Sequence, residues 1–595
     1  MQTGIDDNGD GALQDTEIDQ TTRVCNPLDL MEGDFAESDW SDPVKVAALE
    51  GARVVTGSIA AGQHAAVLPR LELVTGDLVV SDGAQLPVLR RVGGALGAAV
   101  AVGRPPELPM LATVEGNAAL SSGLAGLDLP ALTSIGGDLT TAGLASLTLP
   151  ALATVGGTLD VEEDPSVLAA PALATIGGSL VASDMLSSSL ALPGVQHIGG
   201  DLRIAGGITA IALDHVTSVG GDLRLDVLVG GLDVVLPALQ TLGGSIAVHP
   251  DLSAVTGIEL PALTTFRGGI TVEGASRLTQ LALPSVTRIA GDISITQATA
   301  LTTIDLSALV DVGRITILDA PDLTTLSAPA LTTANSDGLG ATIDLEFVGL
   351  DTLSLASLTT APGGVRVVNA AALRSVQLPT LLTASTISVL ECAAFESLAA
   401  PELARANFID LLDSPLHALD LGALATAIVI DIQGGHLADL SGLRSLQSVR
   451  SLALGSVTGL VDLTGLAQLT DLGGLDLRND LDLTSLDGLD QVRQITSTVS
   501  LVGNPALASL AGLRGVNRVG SLHLEGSPAV TDLALTGLVT IDGALQIIDM
   551  DGLTNLGGLD ALTSVGGAIV FTGNDQLPQA AIDAFKARLG TATPP

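Results

Sequence analysis

The segment LPALTSIGGDL at residues 129–139 returns, slightly changed, as LPALATVGGTL at 149–159 and as APALATIGGSL at 170–180. A repeat this strict constrains the fold more than any other property of the chain, because each copy must take one shape and bury its apolar side on its neighbours. Aligned on the glycine before the recurring GDLxV, the register runs from Gly57 through Gly76, Gly137, Gly221 and Gly291 to Gly313. It survives loss of the glycine at Ser385, Ala406, Ala427 and Arg450 and returns through Gly473, Gly520, Gly543 and Gly567. The spacing is about 22 residues, which gives about two dozen rungs.

Within one rung the apolar positions Leu139, Leu144, Leu147, Leu149, Leu152 and Val155 alternate in short clipped groups. Such alternation, bounded by Gly and Pro, predicts several very short strands instead of helix. Pro130, Pro150 and Pro171 mark one corner of the rung. The glycine pairs mark the next, where the chain turns without a bulky Cβ in the way. One rung is therefore one coil. Stacking lets each Leu rest on its counterpart and lets the backbone pair from coil to coil, so the expected fold is all-β, a parallel β-solenoid. At about 4.8 Å per stacked strand, two dozen coils extend on the order of 115 Å.

A solenoid with open ends offers unpaired backbone for edge association, and both ends predict a covering helix. In SDPVKVAALEG, Asp42 is placed as N-cap, Pro43 at the first helical position and Gly51 at the stop. In LPQAAIDAFKARLG, Pro578 starts and Gly590 stops a helix whose Ile582, Phe585 and Leu589 share one face. From about residue 437 the wording shifts to DLSGLRSL, DLTGLAQL and SLAGLRGV, a second flavour of the same repeat. The organisation read from the sequence is a truncated EF-hand-like calcium-loop module over 1–27, a linker and cap helix over 28–52, LPALxxVGGDL-type solenoid over 53–436, LxGLxxL-type solenoid over 437–575, and a cap helix with tail over 576–595.

Composition narrows the partners. Only 1% of residues are aromatic, with no Tyr, so the core must be built from Leu, Val, Ile and Ala, and no stacking platform announces a sugar ligand. The formal net charge of -41 argues against DNA, RNA or anionic membrane as partner and makes cations the natural counterpart. No apolar run reaches the length of a membrane span. Cys25 and Cys392 lie in different surroundings and support neither a disulfide framework nor a zinc site; Cys392 reads as a small buried residue.

The most explicit chemistry lies ahead of the repeats, in DDNGDGALQDTE. Counted from Asp6, oxygen ligands fall at loop positions one, three, five and twelve as Asp6, Asn8, Asp10 and Glu17, with Gly11 at the sharp turn and Ala12 offering its carbonyl. This spacing wraps hard oxygen donors around one point, which suits calcium and excludes a soft metal. The five residues before Asp6 cannot form the first helix of an EF-hand, so a lone loop is expected; the competing reading is an Asx-rich turn that binds nothing.

The texture LxxLxLPALxxVGGDLxIxxNPxL resembles the receptor L-domain family, leucine-rich-repeat-related solenoids found in fungal cell-wall and bacterial surface proteins. It covers over nine-tenths of the chain. The resemblance implies a right-handed solenoid at a cell surface, with binding or wall organisation as its role. The stretch GIDDNGDGALQDTEIDQTTRVCN also resembles a small module found ahead of repeats in myxobacterial surface proteins and lipoproteins. In such modules an earlier cysteine would pair with Cys25; none precedes the loop here, which leads to the expectation that a signal or lipobox lies upstream of Met1. The alternative is a cytoplasmic protein with a free Cys25.

Catalytic motifs are not found. The seven histidines are scattered over the rungs without HExxH or Ser-His-Asp patterns, and the glycine pairs lack the lysine of a phosphate loop. A carbohydrate-active solenoid would need carboxylates converging near the insertion NSDGLGA at 335–341, for which Asp413 and the acidic residues of 335–350 are the candidates. The acidic group Asp471, Asp476, Asp480, Asp482, Asp487 and Asp490 offers a second cation patch, with plain solvation the favoured reading. The expectation is a non-enzymatic, secreted or surface-anchored solenoid with calcium at its amino end and a protein or glycan ligand. A spacer without ligand, or an enzyme, are the alternatives.

Overall fold

The computed structural model describes residues 2–4, 18–21, 29–100, 103–122, 126–162, 167–186, 189–227, 231–249, 254–335 and 340–590. The chain is a parallel β-solenoid of about 23 turns. It divides into two compact units, one of residues 1–268 with 274–278, the other of 269–273 with 279–595.

In the first unit each coil contributes a two-residue strand before the glycine pair, and these stack in parallel as Thr113↔Ser134↔Thr154↔Thr175↔His197↔Ser218↔Thr241↔Thr265. A second ladder follows the glycines as Leu139↔Leu159↔Leu180↔Leu202↔Leu223↔Ile246. Alternate residues point in and out, so every Leu of GDL and the residue two further on enter the core while the intervening side chain faces out. Leu139, Leu147, Leu149, Leu152 and Val155 are all buried, matching the pattern that predicts one coil. Threonines at the turn close the remaining backbone valence: Thr133 Oγ1 donates to the carbonyl of Ala112 at 2.9 Å, and Thr217 Oγ1 to that of Gln196 at 3.0 Å.

The second unit repeats the plan with two changes. Where the glycine pair is lost, the strands on either side fuse into single eight-residue strands at Thr383–Leu390, Arg405–Leu412, Thr426–Gln433 and Ser448–Gly455. Ser385, Ala406, Ala427 and Arg450 lie inside these strands, because a residue with a Cβ has no reason to leave extended backbone where the glycine pair turned. In the GL-type rungs the Leu-Pro-Ala-Leu corner becomes a short 3-10 turn, at Ser441–Leu443, Thr464–Leu466, Ala511–Leu513 and Gly557–Leu559.

Each unit carries one α-helix among the described residues. Helix α1 (Pro43–Gly51) is N-capped by Asp42, whose carboxylate accepts from the N–H of Val44 at 2.9 Å and of Lys45 at 3.4 Å. Helix α2 (Gln579–Arg588) buries Ile582 and Phe585; Pro578 is its N-cap, one position earlier than the sequence suggests, and Leu589 is half-buried. Arg588 reaches from α2 to the carbonyls of Leu559, Asp560 and Leu562 at 2.7–2.8 Å. No helix among the described residues is long and apolar enough to cross a membrane.

Candidate functional site

The proposed calcium ligands Asp6, Asn8, Asp10, Ala12 and Glu17 lie outside the described residues, as does Cys25. Their described flanks, Gln2–Gly4 and Ile18–Thr21, are strands paired antiparallel with Gly4 opposite Ile18. Residues 336–339 of the insertion are likewise outside the described set. Cys392 is a buried free thiol that donates to the carbonyl of Leu390 at 3.3 Å, and burial raises its pKa.

The aspartates that follow the anchor glycines serve the backbone. Asp138 Oδ1 accepts from the N–H of Thr158 at 2.7 Å, Asp222 Oδ1 from Ser245 at 2.8 Å, and Asp292 Oδ1 from Arg314 at 2.7 Å. Ser and Asn do the same where Asp is missing, as in Ser179 Oγ with the N–H of Asp201 and Asn117 Oδ1 with that of Asp138. In each of these aspartates Oδ1 is already an acceptor for the next coil.

The acidic group at 471–490 is dispersed in the same manner. Asp476 holds Arg478 at 2.7 Å, Asp482 accepts from the N–H of Gly459 at 2.8 Å, Asp490 meets Arg514 at 3.1 Å, and Asp480 is buried. Among the described residues no group of three or more His, Cys, Asp or Glu could hold a metal ion.

The surface that remains is the outward face of the long ladder after the glycines. Its side chains come from successive coils in register, as in Asp344↔Arg366↔Ser388↔Asp410↔Asp431, of which Ser388 is buried between its neighbours and the others are half-buried. Arg366 bridges Asp344 at 2.8 Å and Glu346 at 3.3 Å. Further along, Asp410 lies beside Asp431, and burial together with that like charge raises its pKa. Gln433 Nε2 donates to Asp431 Oδ1 at 2.7 Å. In the first unit the same face carries Arg203 with Asp226 at 3.0 Å and Arg224 with Asp222 at 2.8 Å. The face is thus a row of carboxylates, some paired with arginine, set one per coil on the parallel sheet.

For the enzyme alternative, Asp344 and Glu346 are both engaged by Arg366. The ladder Ile343↔Val365↔Ile387↔Ile409 places Asp413 three coils from position 347.

A shallow groove of about 410 Å³ also crosses five coils of the first unit, between Thr175, His197, Ser218, Thr241 and Thr265, with Arg267 at its end. His197 Nδ1 lies 2.9 Å from Ser218 Oγ, so this imidazole is tied into the row.

Two features had no signal strong enough to single them out in the sequence. Trp40 stacks on His64 with ring centroids 5.2 Å apart, and His64 meets Glu37 at 2.8 Å, locking the segment before α1 onto the first coils. Asp480 is the other; the sequence places it among exposed aspartates, but the fold takes it inside.

No family model matches the chain, and no curated protein matches it. Among solved structures, one similar chain is that of the crystal structure of the TLR13-ssRNA13 complex, at 13% identity over 88% of this chain and 89% of that one, with a TM-score of 0.19. At that score the likeness carries no argument about function.

Proposed function

We propose that the chain is a non-enzymatic repeat scaffold of the cell surface or extracellular space, which presents the outward face of its parallel ladder to a protein or glycan and binds calcium in the loop from Asp6 to Glu17. The observation that carries this reading is the strict register of the face, where Asp344, Arg366, Asp410 and Asp431 are delivered one per coil around the buried Ser388. Such a row has the geometry of an extended recognition surface, and its carboxylates are spent on arginine or spread along the row instead of converging on one reacting atom. The resemblance of the repeat texture to receptor L-domains supports the surface location. The antiparallel pairing of Gly4 with Ile18 supports the loop reading, because it holds the two ends of the calcium segment side by side.

The test is co-sedimentation of the purified chain with bacterial envelopes and with insoluble polysaccharides, in calcium and in chelator. Retention in calcium that is lost in chelator and in Glu17→Gln supports a calcium-dependent binder. No retention in either condition moves the reading to a spacer. Release of soluble sugar from the polysaccharide would overturn the non-enzymatic reading.

A further inference from the structure

At the turn that leaves the long ladder in the second unit, a residue in the left-handed region is followed by a buried or half-buried residue facing the previous coil. This second position is polar or a cysteine in six of the coils, as the buried Cys392, Ser414, Asp480, Asn504 and Ser527 and the half-buried Asn574. The two asparagines each donate to one particular carbonyl, Asn504 Nδ2 to Leu477 at 3.0 Å and Asn574 Nδ2 to Ile547 at 2.8 Å. Ser414 Oγ and Cys392 Sγ lie 3.4 Å and 4.0 Å from the corresponding carbonyls of Val389 and Val367, with nearer acceptors on their own coil in Leu412 at 3.1 Å and Leu390 at 3.3 Å, and Ser527 Oγ has no partner among the described residues. The previous-coil carbonyl in these four cases is that of the partner of the residue three places before the side chain: Leu477 pairs with Leu501, Ile547 with Phe571, Val389 with Leu411 and Val367 with Val389. By the same rule the carbonyl for Asp480 is that of Leu454, which pairs with Leu477.

Asp480 fills half of the pattern as an acceptor. Its Oδ1 takes the N–H of Val457 at 2.9 Å, as Asn504 Oδ1 takes that of Asp480 at 2.9 Å. Its Oδ2 is buried without a partner, and the residue is 0% exposed. A carboxylate there would aim a charged oxygen where Asn504 and Asn574 place a donor, a costly arrangement for a buried group. We propose that Asp480 is a neutral carboxylic acid whose Oδ2–H donates to the carbonyl of Leu454, so that this stretch of the solenoid is held closed by a proton and loosens when the proton leaves to solvent.

The charged surroundings favour retention of the proton. On its own coil Asp476 is occupied by Arg478, and Asp482 by the N–H of Gly459. The next coil presents the uncharged Asn504, and the previous one the backbone of Val457. Glu525, two coils on, is paired with His523 at 2.9 Å. Among the described residues no cation pairs with Asp480. Burial, with the like charge of Asp476 adding to it, pushes its pKa up to about 7 from 3.8.

The sign follows from linkage. An opened coil exposes Asp480 to water, where it ionises near 3.8, while the closed coil keeps its proton to about 7. Closure is therefore strongest below the lower value, weakens as pH rises between the two, and is constant above the upper one.

The experiment is hydrogen exchange of the full chain by mass spectrometry from pH 4 to pH 9, corrected for intrinsic exchange, on the wild type, Asp480→Asn and Asp480→Ser. In the wild type the opening constant of the peptides carrying Val457 and Asp480 is expected to rise about tenfold per pH unit between about 4 and about 7, and then to level off. Asp480→Asn, which carries a permanent donor, is expected to be flat over that range and better protected than the wild type at pH 8. Asp480→Ser, which copies Ser414, is expected to be equally flat and serves if the Asn variant fails to fold. A flat wild-type profile, or a variant that keeps the wild-type slope, overturns the proposal. So does loss of protection in both variants at every pH, since the site would then need a carboxylate and not a donor.

Discussion

Asp201 Oδ1 accepts a hydrogen bond at 2.8 Å from the backbone N–H of Asp222, the residue that takes its place one coil later. Asp222 repeats the act for Ser245 at 2.8 Å. The recurring Gly-Asp is therefore one device: the aspartate closes a backbone valence of the next coil, and the glycine leaves room for the aspartate beneath it. A Cβ on Gly221 would stand 2.0 Å from Asp201 Oδ1 and 3.0 Å from Gly200 C.

Gly221→Ala should consequently cost the first unit about 1–3 kcal/mol, the range for overpacking a close contact. The readout is exchange protection in Leu202–Gly207 and Leu223–Val227. Adding Asp201→Ala to the same chain should recover part of the loss and not all of it, because the backbone of Gly200 still crowds the new methyl. Unchanged protection in the single variant would show that the ladder yields to a side chain and that the glycine is there for another reason.

The same device predicts acid sensitivity. The backbone N–H of Ser245 lowers the pKa of Asp222, and Arg224 adds to the effect. A lowered pKa means that the stabilisation is complete above the ordinary carboxylate value of 3.8 and is lost as pH falls through the folded value. Asp222→Asn keeps an acceptor for Ser245 but no longer titrates, so its acid unfolding midpoint, followed by circular dichroism between pH 5 and pH 2, should move to lower pH. A midpoint equal to that of the wild type would mean that other carboxylates govern acid unfolding.

What the sequence made legible follows from what the repeat controls. Leu139, Leu147 and Val155 occupy the core because the period dictates it, and Asp42 with Pro43 caps a helix because capping is local chemistry. The spacing from Asp6 to Glu17 is also local, but those residues lie outside the described set, and the calcium loop stands as a proposal. Asp480 escaped for the opposite reason: Asp476, Asp480 and Asp482 read alike as a string, and only the stacking of one coil on the next separates a buried acid from two engaged with Arg478 and Gly459. The fusion of strands around Ser385 and Ala406 was hidden for a related reason, since glycine loss tells that a corner weakens but not that two strands merge.

Phe347 gives a test of backbone strain. It sits at φ 52° in the column of left-handed residues that includes Asn369, Glu391 and Asp413, yet it is a bulky aromatic, 46% exposed. L residues pay about 1–2 kcal/mol in this region relative to glycine, and later coils of the same unit use Gly503, Gly526 and Gly573 for the same turn. Phe347→Gly should raise the local stability of strand Ile343–Val348 by about 1 kcal/mol, read as slower exchange there. Faster exchange would show that the ring makes contacts worth more than the strain.

The carboxyl-terminal cap is tied to the last 3-10 turn by one side chain, beside the buried Ile582 and Phe585. Arg588 Nη1 donates to the carbonyls of Asp560 at 2.8 Å and Leu562 at 2.7 Å, while Nη2 donates to Leu559 at 2.8 Å, so a single guanidinium closes the last 3-10 turn. Among the described residues the strand beneath the cap, Ile569–Thr572, pairs only with Leu545–Ile548, and its Ile569, Val570 and Phe571 are partly exposed. Arg588→Ala removes three charge-assisted hydrogen bonds; the net loss expected is about 1–3 kcal/mol of helix docking. Arg588→Lys should recover only part of it, because a lone ammonium cannot fork across three carbonyls. Faster exchange in α2 and in residues 557–572 is the first readout. The second is light scattering against protein concentration, because a lifted cap bares a strand edge that another chain can extend. If Arg588→Ala stays monodisperse and its exchange is unchanged, Ile582 and Phe585 hold the helix by themselves and the guanidinium adds nothing.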